Sequence, residues 1–300
     1  MQAMIFAAGL GTRLKPLTDS RPKALVTIGD KTLLERNIEK IDSYGIKNIV
    51  VNIYHFPDMM TEFIDNIRQK YNCNIVISDE REHLLNTGGG FLFAKDLFFN
   101  NFSLSNSLNN KLLDTTKKNS VISEVFSLKM TEICEKISKI IKKIFSTDDS
   151  DSRLRKNVFD NDEDDLILLH NVDILSDIDF AEMQKAFIES SPLALLAVKK
   201  RETQRYFIFN EKDELSGWVN VATNQKIITR KCKKENLYAF SGVHIVRKDI
   251  FDFITQSGAF SITDMYLELS KKHIIKPFIH EGKWLDVGKI DAIKKAEEMF

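Results

Sequence analysis

The sequence predicts an α/β protein in three layers, with helices on both faces of a mixed, mainly parallel sheet. Short apolar runs of strand length alternate with longer segments in which apolar residues recur every three or four positions. Such alternation is typical of parallel strands joined by helical crossovers. The first apolar run also ends in a glycine-containing loop, the usual place of a ligand site in such sheets. With 300 residues, 43% of them hydrophobic, the chain is long enough for one domain of this kind.

The first predicted strand covers residues 4–8 and leads into a loop that contains Gly9, Gly11 and Arg13, with Lys23 ten residues further on. Glycines let the main chain approach a ligand closely, so that successive N–H groups can point at an anion. Arginine and lysine add positive charge suited to phosphate oxygens. We therefore interpret this stretch as a phosphate site.

Neither of two well-known nucleotide loops fits this stretch. The third glycine of the dinucleotide fingerprint is replaced by Leu14, and there is no Gly-Lys-Ser/Thr of a P-loop. A glycine pair alone also occurs in ordinary turns. The longer string decides the interpretation: Ala-Gly-Leu-Gly-Thr-Arg-Leu-Lys-Pro-Leu-Thr at 8–18, then Pro-Lys-Ala-Leu-Val at 22–26, resembles the signature of the sugar-1-phosphate nucleotidyltransferases.

This resemblance implies a Rossmann-like nucleotidyltransferase fold spanning residues 1–300. It also implies roles for the residues of the loop. Four of them would bind the nucleotide and two would be catalytic: Ala8, Gly9, Gly11 and Thr12 in the first group, and Arg13 and Lys23 in the second.

The next segments continue the alternation. We predict a helix over 31–44 that stops at Gly45, a strand over 48–53, a helix around 59–67 and a strand over 74–78. Glycine is favoured just beyond the end of a helix because it adopts left-handed backbone angles without strain.

A second glycine-rich segment, Leu-Asn-Thr-Gly-Gly-Gly, occupies positions 85–90. Its glycines would let a flat purine or pyrimidine lie against the backbone, and the less favoured alternative is a flexible strand-to-helix turn. The segment resembles the base-contacting element of the same family. That resemblance implies that Asn86, Thr87 and Gly88 contact the nucleotide.

Residues 99–165 differ in character, being rich in Asn, Ser, Lys and Asp and lacking proline and glycine. We interpret them as an insertion, partly helical or mobile, with one amphipathic helix over 121–145. It would serve in oligomer contacts, as a lid, or in no function. Of its two acidic runs, 148–151 and 160–165, the second lacks the glycine and glutamate that a calcium loop requires, so we favour a solvated surface.

Order returns with an apolar strand at 166–172 that ends at Asp173, on the predicted ligand edge of the sheet. Asp173 aligns with a metal-binding aspartate of the family, which usually has glycine at the position of Val172. The alternative is that the aspartates only cap the helix predicted over 180–190. We favour that alternative for Asp177 and Asp179.

The remaining predicted elements are a strand over 193–198, a hairpin over 206–219 and a strand over 238–246. Phe-Ser-Gly at 240–242 resembles the sugar-contacting element of the family, which implies roles for Ser241 and Gly242. Trp-Leu-Asp-Val-Gly at 284–288 resembles its Trp-x-Asp-x-Gly motif. This makes Asp286 the expected second ligand of a Mg²⁺ cofactor.

Composition excludes several classes of partner. The chain has 43 basic and 43 acidic residues, so we expect neither a nucleic-acid nor an anionic-membrane surface. No apolar run approaches the ~18 residues of a membrane span. Three cysteines, at 73, 134 and 232, indicate free thiols in a reducing compartment, and we expect a cytoplasmic protein. The six histidines show no pair at metal-ligand spacing. The oligomeric state stays open, a homo-oligomer being one option.

The resemblance implies transfer of a nucleotidyl group from a nucleoside triphosphate to a sugar 1-phosphate. Within the family, the N-acetylmuramate 1-phosphate uridylyltransferases, which use UTP and feed cell-wall metabolism, are the first choice, and the mannose-1-phosphate guanylyltransferases, which use GTP, are the second. A non-catalytic nucleotide-sugar sensor on the same fold is an alternative from another class. It would be expected to lose the metal carboxylates or the loop lysine, which this chain keeps. A glycosyltransferase is a weaker alternative, since Asp177 and Asp179 have Asp-x-Asp spacing but follow the strand end that Asp173 already occupies.

Overall fold

In this computed structural model the described part of the chain comprises residues 1–99 and 165–300. It combines strands and helices. Those residues belong to one compact unit. The insertion predicted for 99–165 lies outside the described residues, apart from its two end residues. The same is true of its helix over 121–145, its acidic run at 148–151 and nearly all of the second acidic run. Its domain assignment stays a prediction.

The described residues contain fourteen strands, as follows: β1 (Gln2–Phe6), β2 (Thr27–Ile28), β3 (Lys31–Thr32), β4 (Asn48–Ile53), β5 (Asn74–Asp79), β6 (Leu166–Asn171), β7 (Ile174–Ser176), β8 (Ala194–Lys199), β9 (Arg205–Phe209), β10 (Leu215–Asn220), β11 (Gln225–Ile228), β12 (Asn236–Arg247), β13 (Ile275–Ile279) and β14 (Trp284–Asp286). The α-helices of the same residues are α1 (Leu33–Ser43), α2 (Pro57–Ile67), α3 (Asn86–Phe93), α4 (Lys95–Phe99), α5 (Phe180–Ser190), α6 (Ile262–Leu269) and α7 (Asp291–Met299).

Ten of the strands form one mixed sheet, with the order β11-β10-β9-β12-β6-β1-β4-β5 and with β8 joining β12 to β13. β5, β4, β1 and β6 run parallel, as do β8 and β13, and β12 pairs antiparallel with its neighbours. The predicted mixed α/β fold is confirmed. The parallel quartet matters most for function, because it brings the carboxyl ends of β1, β4 and β6 to one edge.

Helix ends follow local capping chemistry. Thr32 caps α1 by accepting a hydrogen bond from the Glu35 N–H at 3.1 Å. Asp179 caps α5 through the N–H groups of Ala181 and Glu182. The prediction that Asp179 is a cap is confirmed, but the same prediction for Asp177 is wrong. Asp177 lies two residues before the cap, and its N–H donates to the Lys283 carbonyl, which ties it to the segment before β14.

The core lies on both faces of the parallel strands. β1, β4 and β6 are buried almost throughout, and α1, α2 and α5 cover them with apolar side chains. Two-sided burial explains why these strands read as continuous apolar runs in the sequence. Within the described residues, no helix combines the length and the apolar character needed to span a bilayer.

Candidate functional site

A cavity of about 560 Å³ opens at the carboxyl ends of β1, β4 and β6. It is bordered by the first glycine loop, the start of α3 and the turn after β6. Its lining residues are Phe6, Ala8, Gly9, Leu10, Gly11, Thr12, Arg13, Lys23, Asn52, Leu84, Asn86, Thr87, Asn171, Val172, Asp173, Ser261 and Gly288. Most of the residues predicted from the two glycine segments therefore meet at one opening.

The first glycine loop folds back onto the segment that carries Lys23. Gly11 adopts φ +65°, and a Cβ at that position would lie 2.9 Å from the Cβ of Lys23 and 2.9 Å from the Cγ2 of Thr18. The Thr18 hydroxyl donates to the Gly11 carbonyl at 2.9 Å, which fixes this approach. Glycine is required here on both counts, because other residues avoid this φ and no side chain fits.

A buried amide behind the cavity holds the point where β1 becomes the loop. The Oδ1 atom of Asn52, on β4, accepts from the Ala7 N–H at 2.7 Å, and its Nδ2 donates to Glu80 at 2.6 Å. Glu80 is buried, and burial raises its pKa while the bond from Asn52 counteracts the rise. The sequence signal for Asn52 is a single asparagine near the carboxyl end of an apolar strand, and no site residue was predicted from it.

We expect Asn52→Ala to lower the free energy of unfolding by about 1–3 kcal/mol, because the buried Ala7 N–H and Glu80 lose their partner. Urea denaturation of the two proteins measures the difference. Asn72→Ala is a matched control, since Asn72 lies on the surface and its backbone N–H, which the variant keeps, makes its hydrogen bond to Asp42. Equal midpoints for Asn52→Ala and the wild type would contradict this account of the strand end.

Two carboxylates that are 113 positions apart in sequence approach each other beside the cavity. β7, which follows Asp173, pairs antiparallel with β14, which ends at Asp286. The Val287 N–H donates to the Asp173 carbonyl at 2.8 Å, so the backbone itself holds the two residues as neighbours. The Nζ of Lys23 makes an ion pair with the Asp173 carboxylate. Sequence analysis predicted all three residues, and the structure brings them together.

Asp286 lies in an environment that disfavours its negative charge. Its pKa is raised by burial and by the negative charge of Asp173, and is lowered by the nearby charges of Lys23, Arg13 and Arg201. Its Oδ1 atom is buried and has no hydrogen-bond partner among the described residues. A buried carboxylate oxygen without a donor is available to a cation. Among the described residues no group of three or more metal-ligating side chains occurs, so these two carboxylates form a pair.

Arg13 reaches the carboxylate pair across Gly288. A Cβ at Gly288 would lie 2.6 Å from the Asp286 Oδ1 and 2.9 Å from the Arg13 Nη2. Glycine is therefore required at the end of the Trp-x-Asp-x-Gly string, because a side chain there would meet both the carboxylate and the guanidinium. Residues from both ends of the chain thus complete one charged cluster.

Arg201, a residue that sequence analysis missed, adds a further cation next to Asp286. Its guanidinium lies 4.0 Å from the centre of the Trp284 ring and donates to the Phe240 carbonyl at 3.0 Å. Burial lowers its pKa, and Asp286 counteracts the shift. No local motif marks this arginine, because its position depends on the turn between β8 and β9.

Four predicted residues lie outside the cavity lining, namely Asp286, described above, and three residues that pack around the site. Gly88 is buried at the base of α3, and its N–H donates to the Phe260 carbonyl at 2.9 Å. Ser241 is fully buried and hydrogen-bonds His280 at 2.8 Å, and its carbonyl accepts from the Trp284 indole. Gly242, at φ +74°, packs against Asn171 and Ile174. These contacts give the three residues supporting positions around the site, and their ligand contacts stay predictions.

Comparison with known proteins agrees with this geometry. Residues 2–113 match a family model described as nucleotidyl transferase. An N-acetylmuramate alpha-1-phosphate uridylyltransferase of Caulobacter vibrioides is 42% identical over 93 residues, which is 31% of this chain and 38% of that protein. A mannose-1-phosphate guanyltransferase of Yarrowia lipolytica is 30% identical over 289 residues, 96% of this chain and 61% of that protein. The chain thus matches less than two thirds of the length of either relative.

A solved structure extends the likeness of fold to the whole chain. It is a putative glucose-1-phosphate thymidylyltransferase from Bacillus anthracis, with a TM-score of 0.65 at 13% identity, and the match covers 99% of this chain and 94% of that one. At this identity the comparison supports the fold alone. It agrees with the mixed sheet described above.

Proposed function

We propose that this chain, whose residues 2–113 match the nucleotidyl transferase family model, is an enzyme that transfers a nucleotidyl group from a nucleoside triphosphate to a sugar 1-phosphate, releasing pyrophosphate. The observation that supports this most directly is the charged cluster at the cavity, where Lys23 pairs with Asp173 and the positive charge of Arg13 lowers the pKa of Asp286. Cations and carboxylates in this arrangement suit a reaction between two phosphate compounds and a divalent metal ion.

In the proposed reaction, a phosphate oxygen of the sugar 1-phosphate attacks the α-phosphorus of the triphosphate. A new P–O bond forms, and the bond to the β-phosphate oxygen breaks as pyrophosphate leaves with its electron pair. The nucleophile is already an anion, so no general base is needed. The protein must position the two phosphates and offset their negative charge.

The chain's own groups have distinct parts in this scheme. Backbone N–H groups of the first glycine loop would hold the triphosphate, for which Gly9 leaves open space, since a Cβ there would meet nothing within 4 Å. Lys23 would bind phosphate at the floor of the cavity. Arg13, which is exposed at the rim, would stabilise charge that develops on the departing pyrophosphate.

The carboxylate pair fits a Mg²⁺ ion, which prefers oxygen ligands. The unpartnered Asp286 Oδ1 beside Asp173 meets that requirement. When bound, the ion would neutralise phosphate charge and orient the reacting groups. Asp173 and Asp286 are the residues that would hold it.

For the substrates, we propose UTP and N-acetylmuramate 1-phosphate. The Caulobacter relative is named for that reaction and is 42% identical over 93 residues. The alternative pair is GTP and mannose 1-phosphate, which the Yarrowia relative's name indicates and which is supported by a match over 96% of this chain. Cys73 and Cys232 are free thiols, in keeping with the proposal of a cytoplasmic protein.

The test is pyrophosphate release with Mg²⁺ across a grid of UTP, GTP, CTP, dTTP and ATP against N-acetylmuramate, mannose and glucose 1-phosphates. We expect one strongly favoured pair. Nucleotide binding without turnover anywhere in the grid would favour the non-catalytic sensor. No binding and no turnover would overturn the proposal as a whole.

A change at Gly288 tests the cluster without removing any charge. We expect Gly288→Ala to lower kcat by at least ~10-fold, because the new Cβ would sit 2.6 Å from the Asp286 Oδ1 and must displace that carboxylate or Arg13. Steady-state kinetics with the favoured pair measure the effect. Gly45→Ala is the control for a general loss of stability, since Gly45 lies beyond α1 and outside the cavity lining and its φ of +76° makes alanine strained there. This variant should lose stability but keep its kcat. Unchanged kcat in Gly288→Ala would show that the arrangement of Arg13 and Asp286 around Gly288 does not matter for the proposed transfer.

A further inference from the structure

A second cavity, of about 220 Å³, lies between α1 and the end of β6 with β7. It shares no lining residue with the first cavity. Its walls combine polar, charged and apolar side chains: Arg36, Asn37, Glu39, Lys40, Ser43, His170, Ile174, Leu175, Ser176 and Phe300. None of them has a part in the proposed reaction, so the cavity calls for a separate explanation.

Lys40 is the unusual residue of this second cavity. Its Nζ donates to the Ser176 carbonyl at 2.6 Å and lies 4.5 Å from the centre of the Phe180 ring. In the described ranges 1–99 and 165–300, no ion pair joins its ammonium group to a carboxylate. A carbonyl and an aromatic face stabilise an ammonium group less well than water and a carboxylate do.

The charge state of Lys40 follows from this environment. Burial lowers its pKa to about 8, and Asp177 and Asp179 only partly counteract the shift. His170 on the neighbouring wall is buried, with its pKa lowered to about 3, so it adds no positive charge near neutral pH. Lys40 therefore carries a much larger fraction of neutral, nucleophilic amine than an ordinary lysine does.

From this geometry we infer that Lys40 is a modification site, acylated by small acyl phosphates that enter the second cavity. The neutral Nζ attacks the acyl carbon, an N–C bond forms, and the C–O bond to phosphate breaks. Inorganic phosphate leaves with the electron pair, and the amine proton passes to phosphate or water. Arg36, on the same wall, adds positive charge for the phosphate group, although its Nε donates to the Ile28 carbonyl at 3.0 Å and its Nη2 lies 3.5 Å from the Asp30 Oδ1. A cavity of 220 Å³ is ample for an acetyl group.

Acylation would act on the strand pair that holds the carboxylates. α1 contacts the segment around Asp173 at two points, through Lys40 to the Ser176 carbonyl and through Asn37 to the Val172 carbonyl at 2.8 Å. An acylated Lys40 loses its charge and two of its three N–H donors. Ser176 belongs to β7, whose partner β14 ends at Asp286, so the modification weakens the support of that pair.

The test uses the full chain and acetyl phosphate, with the occupancy of each lysine followed over time by peptide mass spectrometry. The internal reference is Lys185 on α5, whose side chain is 77% exposed. At pH 8 about half of Lys40 is neutral, against roughly 0.4% of an ordinary lysine, and half-burial offsets part of this advantage. We expect Lys40 to be acetylated roughly tenfold faster than Lys185.

A pH series separates chemical reactivity from mere access. The rate ratio of Lys40 to Lys185 should be largest at pH 7–8 and should fall as pH rises, because Lys185 then gains neutral amine while Lys40 is already neutral. Charged and titratable groups surround Lys40 on several elements: Arg36 and Glu39 from α1, His170 from β6, Asp177 and Asp179 from the turn before α5, and His280 after β13. A ratio at or below one, or a ratio independent of pH, would overturn the proposal.

Two variants test the structural consequence. Lys40→Gln mimics the acylated state, and Lys40→Arg keeps the charge but cannot be acylated in this way. We expect amide hydrogen exchange in β7 to be at least threefold faster in Lys40→Gln than in Lys40→Arg. Equal exchange in the two variants would overturn the effect on the strand pair, and neither measurement depends on the proposed enzyme activity.

Discussion

Asp173→Asn should reduce kcat of the proposed transfer by ~10²-fold or more while the protein stays folded. The change keeps the shape of the side chain but removes the negative charge that pairs with Lys23. It also removes one of the two carboxylates that would hold Mg²⁺, so the Mg²⁺ concentration for half-maximal rate should rise. Steady-state kinetics over a Mg²⁺ titration measure both effects, and a loss of this size corresponds to about 2.7 kcal/mol of transition-state stabilisation.

Asp58→Asn is the matched control for this variant. Its side chain is 91% exposed on α2, far from the cavity lining, and its one ion pair is with Arg81. We expect its kcat to equal that of the wild type. Near-normal turnover in a folded Asp173→Asn protein would remove the metal role from this residue.

Lys23→Ala should lower kcat by a similar ~10²-fold, because the ammonium group at the floor of the cavity is fixed in place before substrate arrives. Lys23 is 8% exposed and is tied to Asp173. Its loss also leaves two neighbouring carboxylates with one cation fewer, so the pKa of Asp286 should rise further, given that Lys23 lowers it in the wild type. Kinetics at several pH values measure both consequences: the pH below which activity falls should be higher in the variant.

Lys15→Ala serves as the control, since Lys15 lies in the same loop region with a 61% exposed side chain paired to Asp19. A double-mutant cycle with Asp173→Asn adds a sharper criterion. If the two residues act as one unit, the loss in the double variant is clearly smaller than the product of the single losses. Independent, multiplicative losses would separate their roles.

The sequence predicted the elements well where local pattern and burial agree. β1, β4 and β6 are buried on both faces, so they appear as uninterrupted apolar runs, and α5 was predicted with the bounds that it has. Helix α3 is different: its glycines suggested an open loop over a base, whereas Gly89 and Gly90 pack closely against Gly258 and Glu80. A glycine that is required for helix packing looks the same in sequence as one that is required for ligand approach.

The site itself divides in the same way. Arg13, Lys23, Asp173 and Asp286 stand in strings that resemble a known signature, so they could be named from the sequence. Arg201 could not, because its place beside Trp284 and Asp286 results from the turn between two strands and from packing. Asn52 could have been found by asking why a buried strand keeps an amide near its end.

The pairing of β7 with β14 has a consequence for the order in which a new protein gains its chemistry. Lys23 and Arg13 leave the ribosome well before Asp286, which follows Lys23 by 263 positions. Until Asp286 is made, the nascent chain has an anion-binding loop without the second carboxylate. Such a chain would hold groups that bind phosphate before it holds both carboxylates, so phosphate compounds are available as folding ligands while later residues are still being made.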